Sequence, residues 1–135
     1  MKVTEINRLF AEVKKAYETR TGFMCLGNLK AKRKDNGNTS VSVTSVWDRE
    51  AEVEYLRNLG NCEELVAYAE AEYAKHGSYA TDSSNAWKRV QDMLHSPEIQ
   101  NFLTQIGGTA EIHTHTWGDC IPTTDYCINF HYQIA

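Results

Sequence analysis

Residues 109–135 read TAEIHTHTWGDCIPTTDYCINFHYQIA, and this stretch decides the fold. In two segments within it, Thr109–Trp117 and Tyr126–Ile134, residues of one chemical class alternate with residues of another. Because side chains in a β-strand point alternately to opposite faces, this period of two predicts two strands. Gly118 and Pro122 interrupt the pattern and mark the connection between them. We therefore predict that the chain ends in an antiparallel β-hairpin.

The alternation gives each predicted strand a buried face and a polar face. The buried face of the last strand contains Tyr126, Ile128, Phe130, Tyr132 and Ile134. The polar face of the hairpin contains Glu111, His113, His115, Trp117, Cys127, Asn129, His131 and Gln133. Matching apolar residues across the strands pairs Ile112 with Tyr132, which would place His113 opposite His131.

A second hairpin is predicted near the start of the chain, from strands Phe23–Lys32 and Ser40–Trp47. The sequence Asp35-Asn36-Gly37 between them is typical of a turn with a left-handed glycine. A three-residue loop brings Val41 opposite Ala31, so that apolar residues share one face. Five segments with apolar residues at helical spacing account for most of the remainder. They are Glu5–Thr19, Arg49–Leu59, Asn61–Gly77, Asn85–His95 and Pro97–Ile106.

The order of these elements is α-β-β-α-α-α-α-β-β, which is typical of the α+β class. We expect a single domain over residues 1–135, with a mostly antiparallel sheet built from the two hairpins. The amphipathic helices would pack on one face of that sheet. Ser96 followed by Pro97 gives one strong helix start, with serine as the cap and proline at the first helical position.

Composition excludes several classes of protein. The net charge of -4 argues against a dedicated nucleic-acid-binding protein, which needs a concentrated cationic surface. No apolar run is long enough for a membrane span, and no signal sequence is evident, so we expect a cytoplasmic protein. The four cysteines, Cys25, Cys62, Cys120 and Cys127, are then expected to be free thiols.

Nucleotide-binding and hydrolase motifs such as the P-loop or Gly-x-Ser-x-Gly do not occur in the sequence. This favours a binding or regulatory protein over an enzyme. We expect an inhibitor or sequestering module, of the kind that mobile elements use against host defences, with no cofactor. Its partner would be another protein or a small polar ligand such as a nucleotide, and a homodimer is compatible with this interpretation. The predicted ligand-binding residues are His113, His115, Trp117, Asn129 and His131.

Two other interpretations of the histidine-bearing face remain open. Neutral imidazoles at His113, His115 and His131 could bind zinc, or act as general acid and base, in a small hydrolase or phosphodiesterase. Alternatively, the polar side chains could be only the solvated side of a sheet that has its core on the other side. These interpretations differ in whether the three imidazoles converge on one point.

Overall fold

A computed structural model describes residues 1–24, 27, 29–47, 49–76, 83–118 and 123–135. The chain is of the α+β class, as predicted, with helices packed against an antiparallel sheet. The helices are α1 (Val3–Thr21), α2 (Arg49–Leu59), α3 (Glu63–His76), α4 (Ser83–Leu94) and α5 (Pro97–Ile106). The strands are β1 (Asn38–Trp47), β2 (Thr109–Trp117) and β3 (Thr123–His131), and a short 3₁₀ turn, Arg33–Asp35, precedes β1.

The last strand, β3, lies in the centre of the sheet, whose order is β1-β3-β2. Both of its neighbours run antiparallel to it. The central position suits its sequence, because Ile128 and Phe130 are fully buried while Asn129 between them is only half-buried. The predicted division of the C-terminal hairpin into an apolar and a polar face is therefore confirmed.

The predicted register of this hairpin was wrong by four residues. Ile112 lies opposite Ile128 rather than Tyr132, and His113 lies opposite Cys127 rather than His131. The difference arises because β3 begins at Thr123, so the connection from Trp117 is shorter than the sequence pattern indicated. The shift is an even number of residues, so each side chain stays on its predicted face.

The first predicted hairpin is not found among the described residues. Strand β1 pairs with β3, and the described residues of the predicted strand Phe23–Lys32 are not in a strand. The side-chain amide of Asn7 on α1 explains part of this difference. Its Oδ1 accepts from the N–H of Ala31 at 2.6 Å, and its Nδ2 donates to the carbonyl of the same residue at 3.1 Å. A helix side chain thus satisfies both backbone groups that a neighbouring strand would have paired.

A β-bulge lies at Val43 in β1. The pairing changes register between Ser42, which faces Cys127, and Thr44, which faces Tyr126. The extra residue, Val43, is buried like Val41, and beyond it the alternation of faces shifts by one residue, so that Ser45 lies opposite Asp125. Ser42 and Ser45 consequently share the face of the sheet that lies away from the core.

Aromatic contacts join the sheet to two helices. The ring of Phe10 on α1 lies 4.5 Å from that of Phe102 on α5 and 5.4 Å from that of Phe130 on β3. Helix α4 contributes Val90 and Met93 to the same core. The cap of α5 is as predicted, with Ser96 Oγ accepting from the N–H of Ile99. These contacts place α1, α4 and α5 on one face of the sheet.

Helices α2 and α3 pack against each other. Their buried residues Val53 and Ala69 do not belong to the core cluster that joins the sheet to α1, α4 and α5. The outer surfaces of the two helices expose Tyr55, Leu59, Leu65 and Tyr68. In the described part of the chain, no helix combines the length and apolar character that crossing a membrane requires.

Gly37 gives a test of the turn that leads into β1. Its φ of 81° is left-handed, and a Cβ there would overlap the carbonyl oxygen of Tyr132. We expect Gly37→Ala to lower the free energy of unfolding by about 2–4 kcal/mol, from left-handed strain plus this overlap. Gly22 is a matched control, since its φ is 73° but a Cβ there would meet no atom within 4 Å. Gly22→Ala should cost about 1 kcal/mol in urea unfolding, and equal losses at both positions would contradict this account.

Candidate functional site

The surface of the sheet that faces away from the helices carries polar side chains from all three strands, and we call it the polar face. It consists of Asn38, Ser40, Ser42 and Ser45 from β1, Asp125, Cys127, Asn129 and His131 from β3, and Glu111, His113, His115 and Trp117 from β2. All of these residues are exposed or half-buried. The polar face is therefore available to solvent or to a partner.

His131 links the three strands at one end of the polar face. Its Nδ1 lies 2.5 Å from Asn38 Oδ1 on β1, and its Nε2 lies 3.0 Å from Glu111 Oε1 on β2. Two fixed partners on opposite sides of the ring hold the imidazole in one orientation. Both ring nitrogens are occupied by these contacts, so neither is free to exchange a proton with a substrate.

Asp125 links the strands at the opposite end of the polar face. One carboxylate oxygen accepts from the hydroxyl of Ser45 on β1, and the other accepts from the indole Nε1–H of Trp117 at 3.1 Å. The Trp117 side chain is 53% exposed although its indole N–H is bound. The result is an oriented aromatic ring beside a carboxylate, both accessible from outside.

Cys127 lies between these two groups and faces His113 across the strands. Burial raises the pKa of the Cys127 thiol, the nearby charge of Asp125 raises it further, and hydrogen bonds from Ser40 and Ser42 oppose the increase. A thiol with a raised pKa holds little thiolate at neutral pH, and the thiolate is the nucleophile. The position thus suits a protonated thiol that packs between serines.

The structure does not bring the three histidines together. His131 lies opposite Thr109, four residues along β2 from His113, which corresponds to about 13 Å. His113 and His115 are exposed and have no hydrogen-bond partner among the described residues. In that part of the chain, no three His, Cys, Asp or Glu side chains are grouped so as to hold a metal ion. The predicted pairing of His113 with His131, which would have brought two of the imidazoles together, was wrong.

Asn129 was predicted to bind ligand and lies on the polar face between Glu111 and Ser40. Its Oδ1 is buried and has no hydrogen-bond partner among the described atoms. Among the residues that were predicted to bind ligand, His113, His115 and Trp117 are exposed, whereas Asn129 and His131 are half-buried.

Of the four cysteines, Cys25 and Cys120 lie outside the described residues, while Cys62 and Cys127 are free, as expected.

The three strands contain no lysine or arginine. Their charged residues are Glu111 and Asp125, both on the polar face. The nearest basic run in the sequence, Lys30–Lys34, leads through the short 3₁₀ turn into the Asn38 end of β1. Asp125 pairs with Ser45, seven residues further along β1, at a distance of about 23 Å. The Asp125 end of the polar face is therefore its acidic end.

Three residues that form hydrogen bonds on the polar face were missed from the sequence. Asn38 and Ser45 were missed because β1 was paired with residues 23–32 instead of β3. Asp125 was missed because the strand was expected to begin at Tyr126. A signal for β1 was present, since Asn38, Ser40 and Ser42 alternate with buried Thr39 and Val41. No comparable local signal identifies Asp125, whose role depends on the pairing of three strands.

Comparison with known proteins gives no assignment: no family model, no curated protein and no solved structure matches this chain.

The contact between Asp125 and Trp117 can be tested by NMR. Asp125→Ala removes the acceptor at 3.1 Å, so the indole Nε1–H resonance of Trp117 should move upfield. Stability should fall by about 1 kcal/mol, because two hydrogen bonds to a charged group are lost at a half-buried position. Glu111→Ala is the matched control, and it should shift the ring nitrogens of His131 while leaving the Trp117 indole unchanged. An unchanged indole resonance in Asp125→Ala would refute the contact.

The raised pKa of Cys127 predicts a loss of stability in alkali. The unfolded chain releases this thiol proton near pH 9.0, the ordinary pKa, whereas the folded chain retains it to higher pH. The folded state then binds more protons than the unfolded state, so the free energy of unfolding falls as pH rises above this point. Urea unfolding from pH 8 to pH 10 should show this decline, and Cys127→Ser should flatten it. Identical slopes in both proteins would exclude Cys127 as the cause.

Proposed function

We propose that this chain is a binding protein that recognises an arginine-bearing surface of a partner protein through its polar face. The observation that carries the proposal is the pair formed by Asp125 and Trp117. A carboxylate fixed by Ser45 lies beside an exposed indole, on a sheet without any lysine or arginine. Such a chain would act by covering the basic surface of its partner, as an inhibitor or sequestering module does.

Arginine matches both members of this pair. The guanidinium group stacks on the face of an indole through a cation–π interaction, and its N–H groups donate to a carboxylate. The Trp117 indole donates its own N–H to Asp125, so the ring is already held beside the acid before any partner arrives. Preorganised aromatic residues next to a charge are typical of the groups that dominate protein interfaces.

A protein partner fits the polar face better than a small polar ligand. Small-molecule sites are generally concave and enclose most of their ligand. Four cavities in the described part of the chain are lined by residues of other regions, and no polar-face residue lines any of them. A sheet surface with projecting histidines and a tryptophan instead offers contact area to a second macromolecule.

The hydrolase alternative receives less support from the same geometry. Both nitrogens of His131 are engaged, by Asn38 and by Glu111. The ring nitrogens of His113 and His115 are not engaged in this way, but no described group holds either ring in a fixed orientation. A general acid–base pair needs one free nitrogen on an imidazole that a partner holds in place.

The proposal can be tested by titrating ¹⁵N-labelled protein with acetyl-Arg-Arg-amide. We expect chemical-shift changes at the Trp117 indole and at the backbone amides around Asp125. Trp117→Ala and Asp125→Asn should each weaken binding by about tenfold, which corresponds to losing one cation–π contact or one charge-assisted hydrogen bond. Glu54→Gln is the matched control, since it also removes one exposed carboxylate but lies on α2.

Two further titrations separate the alternatives. Acetyl-Lys-Lys-amide should bind more weakly than the arginine peptide, because an ammonium group lacks the planar fork that stacks and pairs at once. Adenosine monophosphate should leave the polar face unchanged. Shifts with the nucleotide and none with the arginine peptide would reject the proposal in favour of a small polar ligand. Equal weakening by Glu54→Gln and Asp125→Asn would show that only net charge matters.

A further inference from the structure

Strand β2 is an edge strand of the sheet, and in the described part of the chain its outer side is open. It pairs with β3 on one side, and no described residue outside β3 forms a hydrogen bond with its backbone. The opposite edge differs, because the carbonyl of Ser42 in β1 accepts from the N–H of Gly27 at 2.9 Å. An unpaired edge of nine residues is a template for another strand.

The direction of each backbone group in β2 follows from the pairing of β3. The N–H of Tyr132 donates to the carbonyl of Gly37, just before β1, at 2.8 Å. Backbone groups of alternate residues point to opposite sides of a strand, so even-numbered residues of β3 face β1 and odd-numbered residues face β2. Their partners in β2 are odd-numbered as well. The outward N–H and C=O groups therefore belong to Ala110, Ile112, Thr114 and Thr116.

We propose that this edge binds a second copy of the chain, with the two β2 strands antiparallel about a twofold axis at His113. This register uses the full length of both strands. Ala110 then pairs with the partner's Thr116, and Ile112 pairs with the partner's Thr114, each through outward backbone groups. Since the axis makes every contact twice, all of the outward groups of both strands are satisfied.

Charge complementarity selects the second copy as the occupant. In this register Glu111 lies opposite the partner's His115, and the partner's Glu111 lies opposite His115. These are non-hydrogen-bonded positions, where opposed side chains approach most closely. One oxygen of the Glu111 carboxylate contacts His131 of the same copy, and the partner's His115 would offer a second imidazole to this carboxylate.

The burial of β2 on its helix side also suits this pairing. On the helix side of β2, Ala110 and Ile112 are half-buried against the core, whereas Thr114 and Thr116 are exposed. The twofold axis places the covered half of each strand beside the uncovered half of the other. The helices of one copy thus meet open space next to the partner's threonines rather than the partner's helices.

The edge also lacks the residues that usually prevent such pairing. Natural sheets protect their edges with lysine or proline, and the segment Thr109–Trp117 contains neither. The resulting dimer has one continuous sheet with β2 from each copy at its centre. The dimer uses the edge of the sheet and leaves the polar face open, so it stands independently of the arginine-binding proposal.

The test begins with the mass in solution. Light scattering after size exclusion should give twice the 15.4 kDa of the chain. Thr114→Pro removes an outward N–H without touching the bonds to β3, and it should give a monomer with an unchanged circular dichroism spectrum. Ser40→Pro is the matched control. Ser40 is exposed and two residues from Ser42, whose carbonyl points away from β3, so this variant should remain dimeric.

Charge variants at His115 keep the test valid if the proline variant fails to fold. His115→Glu places two acids opposite each other at both symmetry-related positions and should weaken the dimer about tenfold. His115→Lys keeps a cationic group opposite Glu111 and should retain the dimer. Ser40→Glu adds the same charge on the same face, away from β2, and should have a smaller effect than His115→Glu.

Amide hydrogen exchange distinguishes edge pairing from any other dimer. In the dimer, the N–H groups of Ala110, Ile112, Thr114 and Thr116 should exchange slowly, and dilution to monomer should release them. A monomeric wild type at high protein concentration would overturn the proposal. So would a dimer in which these amides exchange freely, or one that Thr114→Pro and His115→Glu leave intact. None of these outcomes bears on the binding of the arginine peptide to Asp125 and Trp117.

Discussion

The structure depends on β3 having a partner on each side while its apolar face is buried under the helices. Phe130 is fully buried at the centre of this arrangement, and its ring meets Phe10 of α1 and Phe102 of α5. β1 and β2 do not pair with each other, so the sheet exists because β3 lies between them. The first helix and the last strand are thereby joined in one core, which makes the fold dependent on contacts between distant parts of the chain.

The polar face is a consequence of the same strand. A strand with period two that buries one set of side chains must present the other set, and helices cover one side of this sheet. In β3 the presented set includes an acid and an imidazole, and each is bound from both neighbouring strands. The side chains of the polar face are therefore held by sheet pairing, so what the surface can recognise is determined by register.

The features that the sequence predicted well are the ones that local pattern controls. Helix positions, the cap at Ser96 and the division of the C-terminal strands into faces follow from spacing along the chain. The register of the hairpin does not follow from this spacing. Ile112 would have an apolar neighbour opposite it, either Ile128 or Tyr132, and the length of the turn determines which of the two pairings forms. The pairing of β1 was equally non-local, since the amide of Asn7 takes the backbone groups of Ala31. The candidate site was thus predicted in composition but not in geometry.

The single acid of β2, Glu111, also explains how pairing at this edge can be restricted in register. Twofold pairing centred on Glu111 would place it opposite its own copy, and like charges directly opposed across strands are destabilising. Moving the centre two residues to His113 replaces that repulsion with two contacts between Glu111 and His115, and it also lengthens the paired segment. Every other residue in β2 is uncharged or a histidine. The position of one carboxylate therefore excludes the register centred on Glu111. The full overlap of both strands favours His113 over the centres at Ile112 and Thr114, which backbone hydrogen bonding alone would also accept.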